Sequence, residues 1–93
     1  MGGERSSTTR HRVYMHFMLV NHGWYCQFLE PDLKTSLPRK LTFKDSEKVV
    51  EMYDRFGVDK KLEDRAALEY GINQGRGSVW LSLTPEQYGK LKR

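Results

Sequence analysis

The sequence predicts an α+β domain with a mainly antiparallel four-stranded sheet, helices mostly on one face, and the chain order β-β-β-α-α-β-α. Two observations carry this prediction. Some stretches alternate apolar and polar residues, as half-buried strands do, and others repeat apolar residues with a helical period. Because 93 residues of which 38% are apolar suffice for one modest core, we expect a flexible tail over residues 1–11 and a single domain over 12–93.

The first two strands are predicted to form a β-hairpin. Residues 12–20 and 24–29 are rich in the β-branched and aromatic residues that suit a pleated sheet. The segment Asn21-His22-Gly23 between them consists of residue types that favour a tight turn.

The register of this hairpin decides which side chains share a face. With His22-Gly23 as a two-residue turn, Leu19 lies opposite Cys26. A three-residue loop that pairs Val20 with Trp24 would instead mix apolar and polar residues on both faces. We prefer the first register, because a buried face specifies strand pairing tightly.

This register divides the hairpin into two unlike faces. The first face is entirely apolar and consists of Val13, Met15, Phe17, Leu19, Trp24, Cys26 and Phe28. The second face is mixed and consists of Tyr14, His16, Met18, Val20, Tyr25, Gln27 and Leu29. We expect the first face to lie in the core.

The middle of the chain predicts a short strand and two helices. Residues 39–43 form the third strand, and a helix follows over 46–56, whose apolar residues recur at three- and four-residue intervals. Asp45 is placed to cap this helix and Gly57 to end it. The second helix, over 62–73, carries a glycine in its interior, which weakens the prediction.

The last part of the chain predicts a strand and a short helix. Gly75-Arg76-Gly77 ends the second helix, and residues 78–83 alternate, so that Trp80 points away from its apolar neighbours. Thr84-Pro85-Glu86-Gln87 then has the form of a capping box with proline at the first helical position.

The charge is mildly basic and unevenly distributed. The formal net charge is +4 and the isoelectric point is near 9.3, which permits nucleic acid or an acidic partner without requiring either. Residues 1–12 hold three arginines and one glutamate, so half of the net charge lies there. The remaining body is therefore close to neutral.

No motif predicts a cofactor, a metal site or a catalytic residue. The single cysteine, Cys26, excludes an intramolecular disulfide, and the N-terminus lacks the apolar segment of a signal peptide. No apolar run is long enough to span a membrane. His16 and Cys26 lie on opposite faces of the predicted hairpin and cannot form a nucleophile pair. We expect a cytoplasmic protein and no bound cofactor.

The second face is the surface that most invites a function. Trp80 joins it from the fourth strand, which gives the candidate binding residues Tyr14, His16, Met18, Tyr25, Gln27 and Trp80. An antiparallel sheet with helices on one side normally turns a polar face to water. Three interpretations remain open: one of the helices covers this face, a second copy covers it, or it binds a ligand.

These interpretations give one expected function and two alternatives. We expect a non-enzymatic interaction module that self-associates as a homodimer through the second face. The first alternative is nucleic-acid binding, in which bases stack on Tyr14, Tyr25 and Trp80 while Arg39, Lys40 and the tail arginines contact the anionic backbone. The second is a small-molecule binder or enzyme with a pocket beside His16, helped by Tyr14 and Glu30.

Three segments carry a resemblance to other proteins. They are residues 79–88, residues 24–32 and the helix after Asp45. Together they resemble small uncharacterised bacterial proteins carried on mobile gene cassettes. The resemblance implies a compact α+β fold in a bacterial cytoplasm, and it implies no activity or functional residue.

Overall fold

A computed structural model of the chain describes residues 10–58 and 62–93, with only the backbone for 62–64. The elements are β1 (His11–Val20), β2 (Gly23–Leu29), β3 (Leu41–Phe43), α1 (Ser46–Phe56), α2 (Leu62–Gln74), β4 (Arg76–Leu83) and α3 (Pro85–Lys92). The strands form one antiparallel sheet in the order β3-β2-β1-β4. This confirms the predicted fold class. Of the predicted tail, residues 1–9 lie outside the described residues, and β1 begins at His11.

The hairpin of β1 and β2 turns one residue earlier than predicted. Asn21 and His22 are its two central residues, with φ of 51° and 68°, and Val20 pairs with Gly23. The predicted His22-Gly23 turn is therefore wrong. A two-residue turn that matches the twist of the strands needs positive φ at both positions, and asparagine and histidine adopt it more readily than most residues.

The corrected register leaves both predicted faces intact. Leu19 lies opposite Trp24 rather than Cys26, and Phe17 lies opposite Cys26. Each residue of β1 has thus moved by two positions along β2, which is one full period of the strand. A two-residue shift therefore changes the cross-strand partners without changing which side chains are buried.

Each of the three helices in the described part of the chain contributes at least one buried side chain to the core on the first face. The core cluster joins Val49, Tyr53 and Phe56 of α1, Leu68 of α2 and Leu91 of α3 to the strands. The strand residues in this cluster are Val13, Met15, Phe17, Trp24, Cys26, Phe28, Val79, Leu81 and Leu83. On the second face, which we call the open face from here on, Leu29 is buried, while the other side chains remain partly or largely exposed.

One residue of the first face escapes the core. Leu19 was predicted to be buried, but its side chain is 51% exposed. It lies near the end of β1, where its backbone N–H donates to the carbonyl of Gly75, just beyond the end of α2. The apolar face extends further along β1 than the helices that cover it.

The N-termini of α1 and α3 lie at the predicted capping residues, but the two caps use different hydrogen bonds. Thr84 caps α3 as expected, since its side chain accepts a hydrogen bond from the N–H of Gln87 at 3.2 Å. Asp45 occupies the N-cap of α1 with extended backbone, but its side chain makes no capping hydrogen bond. Its carbonyl accepts from Lys48 instead.

The glycine inside α2 has a packing role. A side chain on Gly71 would come within about 3.1 Å of the backbone of β4, and one on Gly77 would lie 2.7 Å from the Phe17 ring. The two glycines face each other, so that α2 approaches the sheet closely. The feature that weakened the helix prediction is what brings α2 against Phe17.

Candidate functional site

The open face is built from alternate residues of β1, β2 and β4. The pairing of β1 with β4 places Tyr14 beside Trp80 and His16 beside Ser78, and the pairing with β2 places Gln27 beside His16. Four predicted site residues, Tyr14, His16, Gln27 and Trp80, therefore lie on neighbouring strands. Tyr25 and Met18 form the next cross-strand pair toward the hairpin turn.

Aromatic rings form a row across this face. The centroids of Tyr14 and Trp80 are 4.7 Å apart with the rings tilted by 44°, and those of Tyr14 and His16 are 5.1 Å apart, edge to face. The Arg12 guanidinium lies 4.9 Å from the Trp80 ring centroid. Such contacts hold the rings in place while leaving each of them partly exposed to solvent.

A depression beside this row has polar walls. It has a volume of about 420 Å³, and its lining includes His16, Met18, Gln27, Arg76 and Ser78. The Nδ1 atom of His16 lies 2.5 Å from the hydroxyl oxygen of Ser78, a hydrogen bond between the two side chains. The depression can therefore offer a ligand a guanidinium, an amide and an imidazole on a rigid sheet.

The pair of His16 and Ser78 has no carboxylate beside it on the strands. In a Ser-His-Asp triad, such a carboxylate orients the imidazole toward the serine. The four strands contain neither aspartate nor glutamate. Glu30, which the pocket hypothesis placed near His16, instead accepts a hydrogen bond from the Tyr88 hydroxyl on the helix side. Of the two residues predicted to assist His16, Tyr14 therefore lies beside it and Glu30 does not.

Three arginines flank the open face. Arg10 donates to the carbonyl of Ser82 at 2.7 Å, Arg12 covers Trp80, and Arg76 borders the depression at the other end of β4. Because the strands carry no carboxylate, these charges have no acidic partner on the strands themselves. The open face is positive although the body as a whole is close to neutral.

The predicted anion contacts Arg39 and Lys40 do not belong to this surface. Arg39 lines a different cavity together with Leu83 and Leu91, both of which face the core. Its backbone N–H donates to the carbonyl of Leu91. Lys40 is exposed beside the start of β3. Neither cation shares the depression or the ring row of the open face.

A second polar cluster lies at one end of the helix-covered face. The rings of His11 and Tyr88 stack with centroids 4.1 Å apart, and the Tyr88 hydroxyl donates to Glu30. The hydrogen bond to the Glu30 carboxylate, with burial and the negative charge adding to it, raises the pKa of Tyr88 to about 12. These groups join α3 to the sheet, and the Tyr88 hydroxyl has its hydrogen-bond partner within the fold.

Cys26 lies in the core, as predicted. It is fully buried, and this burial raises the pKa of its thiol to about 12. A thiol that stays protonated in an apolar environment is a poor nucleophile and a poor metal ligand. His16 points to the other side of the sheet, so the two side chains do not meet.

Comparison with known proteins does not place the chain in a family. No family matches the sequence, and no curated protein or solved structure is significantly similar to it. Among the described residues, no group of three or more histidine, cysteine or carboxylate side chains could hold a metal ion. No helix in the described part of the chain is long and apolar enough to cross a membrane.

Sequence reasoning missed Arg76 and Ser78 as members of this surface. Arg76 was assigned only to the turn after the second helix, and Ser78 only to the start of a strand. The pairing of β4 with β1 places Ser78 opposite His16 and Arg76 opposite Met18. A signal was nonetheless present in the sequence: the segments 10–29 and 76–83 contain three arginines and no acidic residue.

Proposed function

We propose that the chain is a non-enzymatic binding module whose open face binds single-stranded nucleic acid. The observation that carries this proposal is the row of Tyr14, Trp80 and His16 rings, flanked by arginines on strands without a carboxylate. Single strands are bound in this way by many sheets, because bases stack on aromatic rings while cations neutralise the phosphates.

The rings are spaced to receive more than one base. Tyr14 and Trp80 form a pair at one end of the face, and Tyr25 lies beside Met18 toward the hairpin turn. Four residues of β1 separate the two positions, which is about 13 Å along a strand. A single strand lying along β1 would meet the Tyr14 and Trp80 pair first and Tyr25 next.

The arginines lie at both ends of that path. Arg10 and Arg12 are at the Trp80 end, and Arg76 pairs with Met18 at the other. Each arginine that contacts a phosphate releases a bound counterion from the strand. With three such contacts, the logarithm of the binding constant should fall against the logarithm of salt concentration with a slope of about −2.

Self-association through the middle of the open face is less favourable on charge. A two-fold contact sets the same patch of each copy against the other. The arginines of one copy would then face those of its partner without a carboxylate between them. An anionic partner would be attracted by this positive charge, whereas a second copy would bring the same charge and be repelled.

The hairpin tip supports self-association as a second candidate. Met18, Leu19 and Val20 are consecutive and exposed by 41%, 51% and 44% of their surface. Such a run of apolar side chains is a common feature of protein contacts. A homodimer through the tip would leave the ring row free, so the two candidates differ in the residues they require.

Fluorescence anisotropy with labelled oligonucleotides of about 12 nucleotides tests the first candidate. We expect single strands to bind with the stated salt slope, and Tyr14→Ala or Trp80→Ala to weaken binding by about tenfold or more. Tyr70→Ala is the matched control, because Tyr70 is the most exposed tyrosine and lies on α2. Arg76→Gln should make the slope shallower by about 0.7, while Arg55→Gln on α1 should leave it unchanged.

Intrinsic fluorescence locates the contact. The chain has two tryptophans, and Trp24 is in the core, so Trp24→Phe leaves Trp80 as the sole reporter. Stacked bases should quench its emission. Absence of binding at low salt, or equal loss in Tyr70→Ala and Trp80→Ala, contradicts the proposal. A dimeric mass by light scattering that Met18→Lys reduces to a monomer would support the second candidate instead.

A further inference from the structure

A second cavity lies on the helix side of the sheet, between β3, α1 and α3. Its volume is about 400 Å³, which is within the range of small-molecule sites. Its apolar lining comes from Leu41, Met52, Leu83 and Leu91, and its polar lining from Arg39, Gln87, Lys90 and Arg93. Nothing in the open face or its ring row contributes to it.

The apolar residues form the inner part of this cavity. Leu83 and Leu91 are buried core residues, and Leu41 and Met52 are half-buried side chains packed against the same core. The cavity is therefore an opening into the edge of the core rather than a dent in a polar surface. Such an opening suits a hydrocarbon chain or ring, which loses its contact with water when it enters.

The charged side chains of the outer part are all positive. The side chains of Arg39, Lys90 and Arg93 are exposed, and no aspartate or glutamate is among the lining residues. Arg39 is held across the opening, since its backbone N–H donates to Leu91 and its guanidinium donates to the carbonyl of Arg93 at 3.3 Å. The charged groups of three different positions thus surround one apolar opening.

From this arrangement we propose that the cavity binds a small amphiphilic anion, with an apolar body inside and a carboxylate at the cationic rim. The charge complementarity favours an anion over a neutral or cationic molecule of the same shape. The limited volume favours a short single chain over a lipid with two chains. The site is independent of the proposed nucleic-acid face, since the two share no residue.

The proposal predicts that both parts of the ligand matter. Burial of a methylene group strengthens binding by about fourfold, so octanoate should bind about 15-fold more tightly than hexanoate. Octanoate should also bind more tightly than 1-octanol and octylammonium, which have the same chain with a neutral and a cationic head. Isotope-edited NMR titration of the full chain can measure all four affinities and show which methyl groups shift.

Variants of the rim separate this site from non-specific adsorption. Lys90→Gln combined with Arg93→Gln should weaken octanoate binding by about tenfold, because two of the three rim charges are lost. Lys92→Gln is the matched control, since it removes one charge from the same helix, and Lys92 lies over the Tyr88 ring instead of the cavity. All these residues are exposed, so the fold should persist, and the NMR spectrum of each variant verifies it.

The expected result has octanoate shifting the Met52 and Leu91 methyl signals, with affinity unchanged in Lys92→Gln and reduced in the rim variant. Equal affinities for octanoate and octylammonium would overturn the assignment of an anion. Shifts spread over the open face, or the absence of any saturable shift, would overturn the site itself. Binding to vesicles containing anionic lipid, with no response to free octanoate, would identify a membrane surface and also contradict the proposal.

Discussion

The two faces of the same strands differ in almost every property that governs stability and binding. On β1, the alternating residues Val13, Met15 and Phe17 are at most 1% exposed, whereas Tyr14 and His16 between them are partly open to solvent. The backbone ladder is common to both faces. The difference therefore arises from the side chains and from the helices that cover one face and not the other.

The two faces also differ in where their polar side chains lie and in how these side chains are hydrogen-bonded. The buried face holds no buried polar or charged residue among those described. The open face pairs its polar groups across strands, as His16 does with Ser78 and Arg10 with Ser82. One face therefore supplies folding free energy through burial, and the other leaves its polar side chains partly accessible to solvent.

The largest expected effect comes from truncating one aromatic residue on each face. Phe28→Ala should lower the free energy of unfolding by about 3–5 kcal/mol, because it opens a cavity in the core. Tyr25→Ala on the open face should cost about 1 kcal/mol or less, because its ring is already partly hydrated. Urea denaturation of both variants measures the difference. Similar losses would show that the open face is part of a buried core.

An intermediate effect is expected where α2 meets the sheet. Gly77→Ala should cost about 1–3 kcal/mol, since the new methyl group would collide with the Phe17 ring. Gly89→Ala in α3 is the matched control. Its methyl group meets only the end of Arg93, and alanine favours helix, so it should gain about 0.5–1 kcal/mol. In thermal unfolding, the melting temperature of Gly77→Ala should lie below that of the wild type and that of Gly89→Ala above it. Melting temperatures shifted in the same direction would contradict the packing described.

The smallest energetic effect concerns the accessibility of a thiol on each face. Cys26 should resist iodoacetamide in the folded protein at mildly alkaline pH, because burial raises its pKa to about 12. Gln27→Cys, one residue along on the open face, should accept one label under the same conditions. Mass spectrometry counts the labels, and unfolded wild type should accept one. Rapid labelling of folded wild type would show that Cys26 is not in a stable core.

The raised pKa of Cys26 also determines how the stability of the fold changes with pH. The folded pKa of Cys26 lies above the ordinary value of 9.0, so the protonated thiol is the form that the fold favours. Its contribution to stability is fully present below pH 9.0 and is lost as the pH rises toward 12. Cys26→Ala should remove this part of the alkaline loss of stability, which urea denaturation at several pH values can measure.

Much of the fold could be predicted because local patterns specify it. The helix over Ser46–Phe56 follows from its apolar spacing, and the cap at Thr84 follows from residue types at adjacent positions. The faces of the hairpin follow from alternation, which survives a two-residue shift of register. These features can be predicted from short stretches of sequence, because the residues that determine each of them lie close together in the chain.

The candidate site was predictable in part for the same reason. Tyr14, His16 and Trp80 were assigned to one face because alternation alone decides which way a strand residue points. Arg76 and Ser78 were missed, and Arg39, predicted as a possible anion contact, lines the cavity on the helix side of the sheet. These outcomes depend on which strands are neighbours and on where loops cross, and neither is encoded in a local pattern.

By itself the sequence determined the element order, the apolar face and the shortage of acidic residues on the strands. The tertiary structure alone decided the hairpin turn, the exposure of Leu19 and the meeting of Gly71 with Gly77. It also decided that three helices cover one face and leave the other open. Local preferences act over a few residues, whereas these features depend on contacts between segments far apart in the chain.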